Sequence, residues 1–144
     1  MERFKFLAVV NIILIKSNEI LLARRYNTGF HDGDYELPSG HIDGNEPVRK
    51  AAAREAFEEL GIHIKIDDLS VVHVMHRFGE KNERMEFFLT TKEWEGEPTN
   101  AEPEVCDEVR WFPVSQLPEN VIPKARFGIE QFLVGNTFSE FDWK

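Results

Sequence analysis

Glu55, Glu58 and Glu59 stand at i, i+3 and i+4 in the stretch Arg54-Glu55-Ala56-Phe57-Glu58-Glu59-Leu60. In a helix, at about 100° per residue, that spacing gathers three carboxylates into one fan on one face. Parallel carboxylates repel by roughly 0.2–0.5 kcal/mol per pair, unless something positive sits between them. A hard divalent cation does that. No cysteine or histidine stands at a matching position, so the ligation is all-oxygen and favours Mg²⁺, with Mn²⁺ as the alternative, over Zn²⁺. A solvated acidic face is the plain alternative for three helical glutamates, and the segments around them weigh against it.

The element that must hold the fan is a helix over 47–60, with Asn45 as N-cap, Glu46 and Pro47 in the first turn and Gly61 just past the end. Ala53, Ala56, Phe57 and Leu60 form its apolar side. The helix is entered through a long loop, 25–43, that carries Gly29, Gly33 and Gly40 and only short candidate strands at 35–37 and 41–42. Such a loop in a small domain is usually functional. Upstream, 4–16 and 20–24 read as a β-hairpin turned by Ser17-Asn18-Glu19. Downstream, strands are expected at 62–66, 69–78, 84–91 and 105–112, then a helix at 123–134 and an aromatic tail, 138–144, that docks on the domain or on a partner subunit. The order is mixed α/β, with two helices to cover a sheet.

At 144 residues the chain fits one domain spanning 1–144. No apolar run approaches the roughly 20 residues a membrane span needs, so no membrane role is implied. A net charge of −9 argues against polymeric nucleic acid as a ligand. A small phosphorylated molecule is not excluded, because a bound divalent cation reverses the local sign. The single cysteine, Cys106, cannot form an intramolecular disulfide and agrees with a cytoplasmic location.

Read together, Gly40, Glu46, Arg54, Glu55, Ala56, Glu58, Glu59, Gly61 and Ile62 match G-x5-E-x7-R-E-U-x-E-E-x-G-U at each fixed position, U being aliphatic. The chain here resembles the Nudix hydrolase family, MutT-like members included. Leu37-Pro38-Ser39-Gly40 looks like the family's loop with Ser39 in place of a more usual glycine, and Arg110-Trp111-Phe112 resembles its late strand. The resemblance implies an α/β/α sandwich with a mixed β-sheet. It also implies metal-dependent hydrolysis of a nucleoside diphosphate linked to another group. Carried over, Glu55, Glu58, Glu59 and the Gly40 carbonyl bind the metal, and one of the glutamates places or deprotonates the attacking water. Glu46 and Arg54 brace loop against helix. The family's further acid, from a loop ahead of the late strand, is matched by Glu102 or Glu104, with Glu104 preferred.

Outside the box, Arg24 and Arg25 close the second strand, where alternation sends only one toward phosphate; Arg25 is the choice. Phe30 and Tyr35 are candidates to stack a base, against core packing as the common fate of strand aromatics, which also covers Phe78 and Phe87. The five histidines show no shared ligand spacing. The chain lacks the proline, tyrosine or upstream motif that marks some subfamilies, with Arg77 and Phe78 in that neighbourhood. This tilts the expectation toward a nucleoside triphosphate, including one with a modified or oxidised base, cleaved to monophosphate and pyrophosphate. Alternatives are a sugar or dinucleotide diphosphate hydrolase and a non-catalytic nucleotide-binding module. A homodimer is the assembly that the resemblance and the aromatic tail suggest.

Overall fold

The structure is a computed structural model describing residues 1–143; Lys144, the end of the aromatic tail, lies outside the described residues. Strand β1, Leu7–Ile13, is an almost unbroken apolar run because both of its faces are covered. Val10 and Ile12 enter a core shared with α1, Val48–Leu60, while Ile13 enters a second core shared with α2, Pro123–Leu133. A five-stranded mixed sheet in the order β5-β1-β7-β6-β9 lies between the two helices. Its other members are β5 (Ser39–His41), β6 (Ser70–Phe78), β7 (Glu83–Thr90) and β9 (Phe138–Phe141). β1 pairs antiparallel with β5 and parallel with β7, and β6 pairs antiparallel with β7 and parallel with β9. The architecture is the expected α/β/α sandwich.

A second sheet contains β2 (Ile15–Lys16), β3 (Glu19–Arg25), β4 (Tyr35–Glu36) and β8 (Cys106–Pro113), with β3 pairing to each of the others. The expected hairpin is thus confined to β2 and β3, across a turn in which Ser17 and Asn18 both take positive φ. β1 leaves it for the other sheet, because its two apolar faces can only be covered between layers.

The helix boundaries shift slightly. Asn45 does not cap α1: it sits at φ 55° outside the helix, and Pro47 occupies the N-cap position with no side-chain cap. Gly61 closes the helix in the left-handed region, as its position suggested. The buried face is Ala51, Ala52, Ala56 and Leu60, so Phe57 turns outward and lies against His63 instead. The stretch 62–66 is not a strand. Ile62 and Ile64 are buried as alternation demands, but the backbone finds only the His63–Glu95 bridge before a 3-10 turn at Ile66–Asp68. In α2, a Cβ on Gly128 would overlap the Phe88 ring, so glycine is what lets the helix lie against β7. The tail docks on its own chain: β9 joins β6, and the Trp143 indole N–H donates to the His76 carbonyl at 3.0 Å.

Candidate active site

The helix fan, the glycine turn and one late loop meet at the end of α1. Gly40 on β5 faces Glu55, and a Cβ built there would overlap its carboxylate. Only glycine leaves that space open. Loop 99–102 is tied to the helix terminus, where the Thr99 and Ala101 amides donate to the Leu60 and Glu59 carbonyls at 2.9 and 3.1 Å. These are carbonyls that a helix end leaves unpaired. The tie carries Glu102 into a pocket of about 290 Å³ whose walls include Glu55, Glu59, Ser39, Arg25 and Cys106. Glu104, preferred on sequence grounds, is exposed and does not line it, whereas Glu102 is half-buried. The difference in placement has a local cause: the Glu102 amide donates to Asn100 Oδ1 and its carbonyl accepts from Val105 and Cys106, a tight turn that leaves Glu104 exposed.

Electrostatics distinguish the three helix glutamates. Glu59 carries a carboxylate oxygen, Oε2, that is buried with no hydrogen-bond partner. Burial, then the neighbouring charges of Glu55 and Glu102, hold its carboxyl well above the usual range. Glu55 is also raised, by burial first, with Arg54 pulling the other way. Glu102 is raised by burial and by Glu104 and Glu58. Glu58 is the more exposed of the three and pairs with Arg54 Nη1 at 3.2 Å, the nitrogen that also meets Glu55.

Arg54 is the centre of that brace. It bonds Glu46 through Nη2 at 2.7 Å and Glu55 through Nη1 at 2.9 Å, and donates to the His41 carbonyl at 3.2 Å. Hydrogen bonds from Arg54, then from the Asp43 amide, bring the Glu46 carboxyl down to about 2. One guanidinium thereby locks β5, the entry turn and α1 together.

Among the described residues, no three acid, histidine or cysteine side chains stand together as a ready-made cage. Arg54 Nη1 meets both Glu55 at 2.9 Å and Glu58 at 3.2 Å, so these two carboxylates stand side by side, with Glu59 buried behind Glu55 and Glu102 near. These residues still fit a hard cation. The orphaned Glu59 oxygen, the space kept clear at Gly40 and the all-oxygen donor set suit one, and a positive ion would offset the burial and, after it, the mutual repulsion that raise the carboxyls.

A larger cleft of about 510 Å³ adjoins this pocket, sharing Arg25, Glu36 and Ser39 with it. Arg25 donates to the Phe30 carbonyl at 2.6 Å and to Thr28 Oγ1 at 3.1 Å, so it both shapes the loop and lines the two cavities. Arg24 is turned to the other face, toward Asp107 at 2.7 Å. Phe30 is 51% exposed on the cleft wall. Tyr35 is not available for stacking: it is 5% exposed, packs edge-on to Phe112 and bonds Glu108 through its hydroxyl at 3.1 Å.

The cleft floor holds a group that local pattern reading missed. Lys124 Nζ, buried at the start of α2, donates to Asn11 Oδ1 at 2.7 Å and Glu86 Oε1 at 3.0 Å, and pairs with Glu36 Oε2 at 3.4 Å. Arg77 Nε bonds the other Glu86 oxygen at 3.1 Å. Burial alone would raise the Glu86 carboxyl, but Lys124, Asn11 and Arg77 bring it to about 2. The only advance signal was polar residues inside strand patterns: Asn11 amid LAVVNII and Glu86 amid ERMEFFLT.

The NUDIX domain family profile matches residues 5–133. An 8-oxo-dGTP diphosphatase of Proteus vulgaris is 32% identical over 99 residues, 69% of this chain and 87% of that protein. An ADP-ribose pyrophosphatase of Methanocaldococcus jannaschii is 39% identical over 64 residues, 44% of this chain and 37% of that one. The crystal structure of a MutT NUDIX hydrolase from Burkholderia pseudomallei superposes with a TM-score of 0.81 at 25% identity, covering 89% of this chain and 98% of that one.

Proposed function

The chain belongs to the NUDIX domain family as a pyrophosphohydrolase, and we propose that its substrate is a nucleoside triphosphate, cleaved to monophosphate and pyrophosphate. The substrate includes forms with a modified or oxidised base, which the name of the Proteus vulgaris relative supports. The observation that carries the catalytic assignment is Glu59 Oε2, buried and partnerless beside Glu55 in a pocket rimmed by Arg25.

On this reading Glu55, Glu59 and the Gly40 carbonyl hold Mg²⁺, with Mn²⁺ as substitute. The bound ion supplies neutralisation of the diphosphate charge. Glu58, beside Glu55 on Arg54 Nη1, completes the set from the solvent side. Arg25 grips a phosphate at the pocket rim, with its loop contacts already fixing its direction. Phe30 offers its exposed ring to the base. Glu102, at the pocket wall, takes the role expected of the loop acid and orients the attacking water. Glu46 and Arg54 keep helix and turn in register.

A second reading, hydrolysis of a sugar-linked nucleoside diphosphate, is favoured by the ADP-ribose relative, although that match spans under half of each chain. The enzyme works on small molecules in the cytoplasm, and the exposed aromatics of the tail give a homodimer its surface. Incubation with a nucleotide panel and Mg²⁺, with products identified by mass spectrometry, separates the two readings. Monophosphate plus pyrophosphate from triphosphates is expected, and turnover confined to diphosphate conjugates, or unaffected by chelator, would overturn the assignment.

A further inference from the structure

The large cleft contains a pair of arginines that the hydrolytic reading does not use. Arg77 on β6 and Arg84 on β7 are direct partners in the antiparallel ladder. Directly opposite residues project from the same face, so two cations stand side by side, an arrangement that destabilises a sheet unless something neutralises it. Both side chains line the cleft.

Their protein partners compensate the two unequally. Arg77 is ion-paired through Nε to Glu86, which also accepts from Asn11 and Lys124, and Lys124 has Glu36 as a second carboxylate, so Arg77 is balanced while its terminal nitrogens stay unbonded. Arg84 uses Nε on the neutral Asn82 Oδ1 at 3.2 Å and, among the described residues, forms no ion pair. The other acids near them are engaged or out of reach. Glu36 is paired with Lys124 and Glu83 with His76, while Glu80 and Asp142 line the cleft without an ion-pair contact to either arginine. Each guanidinium is therefore anchored through Nε with its terminal nitrogens left for a ligand. That forked edge is the group that matches phosphate oxygens two at a time. In a chain of net charge −9, the unbonded guanidinium nitrogens at this point of a cleft of mixed charge make a local site and not a long-range field.

We infer that Arg77 and Arg84 form a second anion site, in the compartment next to the glutamate pocket, which takes a phosphate group other than the one hydrolysed. This goes beyond the reaction proposed above and requires no particular scissile group. The phosphate comes either from the substrate itself, as a group on the ribose away from the diphosphate, or from free inorganic phosphate.

Calorimetric titration of the whole chain separates the sources. The probes are inorganic phosphate alone, a nucleoside 5′-monophosphate and the matching 3′,5′-bisphosphate, with wild type, R84Q and R84K. Loss of one charge-assisted phosphate contact corresponds to about tenfold in Kd. A substrate-borne phosphate gives a wild-type preference for the bisphosphate of about tenfold that weakens with salt, vanishes in R84Q and is partly kept in R84K. A free phosphate gives saturable, Arg84-dependent binding of inorganic phosphate with no preference between the nucleotides. The inference is overturned if neither response changes in R84Q, or in R84K should R84Q fail to fold by circular dichroism. Triphosphate turnover by the wild type tests the proposed reaction separately, so either conclusion can fail while the other stands.

Discussion

Gly40 lies so close to Glu55 that a single methyl group on its α-carbon would occupy the space of the Glu55 carboxylate. The contact joins the last strand before the helix to the first acid of the fan. It explains in steric terms why a glycine precedes the helix where it does.

Gly40→Ala should therefore harm activity more than folding. The obstructed group is the far end of a flexible side chain, which can swing away, but it then leaves the pocket. Turnover is expected to fall by about 10–100-fold, the scale of disturbing a metal ligand's support, with a small change in Tm. Paired melting and phosphate-release measurements check this, and equal loss of both would contradict it.

Glu59→Gln separates stability from function. A carboxyl raised in the folded state keeps its proton over an interval in which the unfolded chain, at an ordinary value of 4.5, has lost it. Stability of the metal-free protein thus falls as pH climbs from 4.5 through the raised value, and a divalent cation restores it. In chelator at neutral pH, Glu59→Gln should melt no lower than wild type. Mg²⁺ should raise Tm in wild type and much less in the variant, whose turnover drops by orders of magnitude. A Tm that is flat between pH 5 and 8 in chelator would refute the account of this carboxyl.

Glu86 behaves with the opposite sign. Its folded carboxyl is held at about 2, so its contribution is fully present above 4.5 and is lost as pH falls toward 2. Lys124→Met removes one partner of this buried pair and should cost about 3–5 kcal/mol by denaturant titration at neutral pH. That cost should shrink as pH falls, because without Lys124 the buried Glu86 takes up its proton sooner than in the wild type. An unchanged midpoint would show that the cleft floor is not bound by this pair.

The two loop acids give a direct comparison. Glu102→Gln should lower kcat while leaving KM within a few-fold, because Glu102 lines the pocket. Glu104→Gln, at an exposed position, should stay near wild type. Steady-state kinetics on both variants decide the matter, and the reverse ranking would return the role to Glu104.

What the sequence determined by itself was whatever depends on backbone winding over a few residues. The placement of Glu55, Glu58 and Glu59 on one helix and its stop at Gly61 are of this kind, whereas the Glu46–Arg54 brace was implied by the family resemblance. Tertiary structure alone decided which carboxylates lose water. Glu58 and Glu59 are adjacent in sequence, yet one is drawn to Arg54 and the other is buried against loop 99–102. Likewise Lys124 reaches Asn11 across 113 positions, Tyr35 is sealed by Phe112, and Arg77 meets Arg84 through strand register. Helical periodicity is written into φ and ψ, whereas burial, ion pairing and register depend on which surfaces the layers bring together, and no local pattern carries that information.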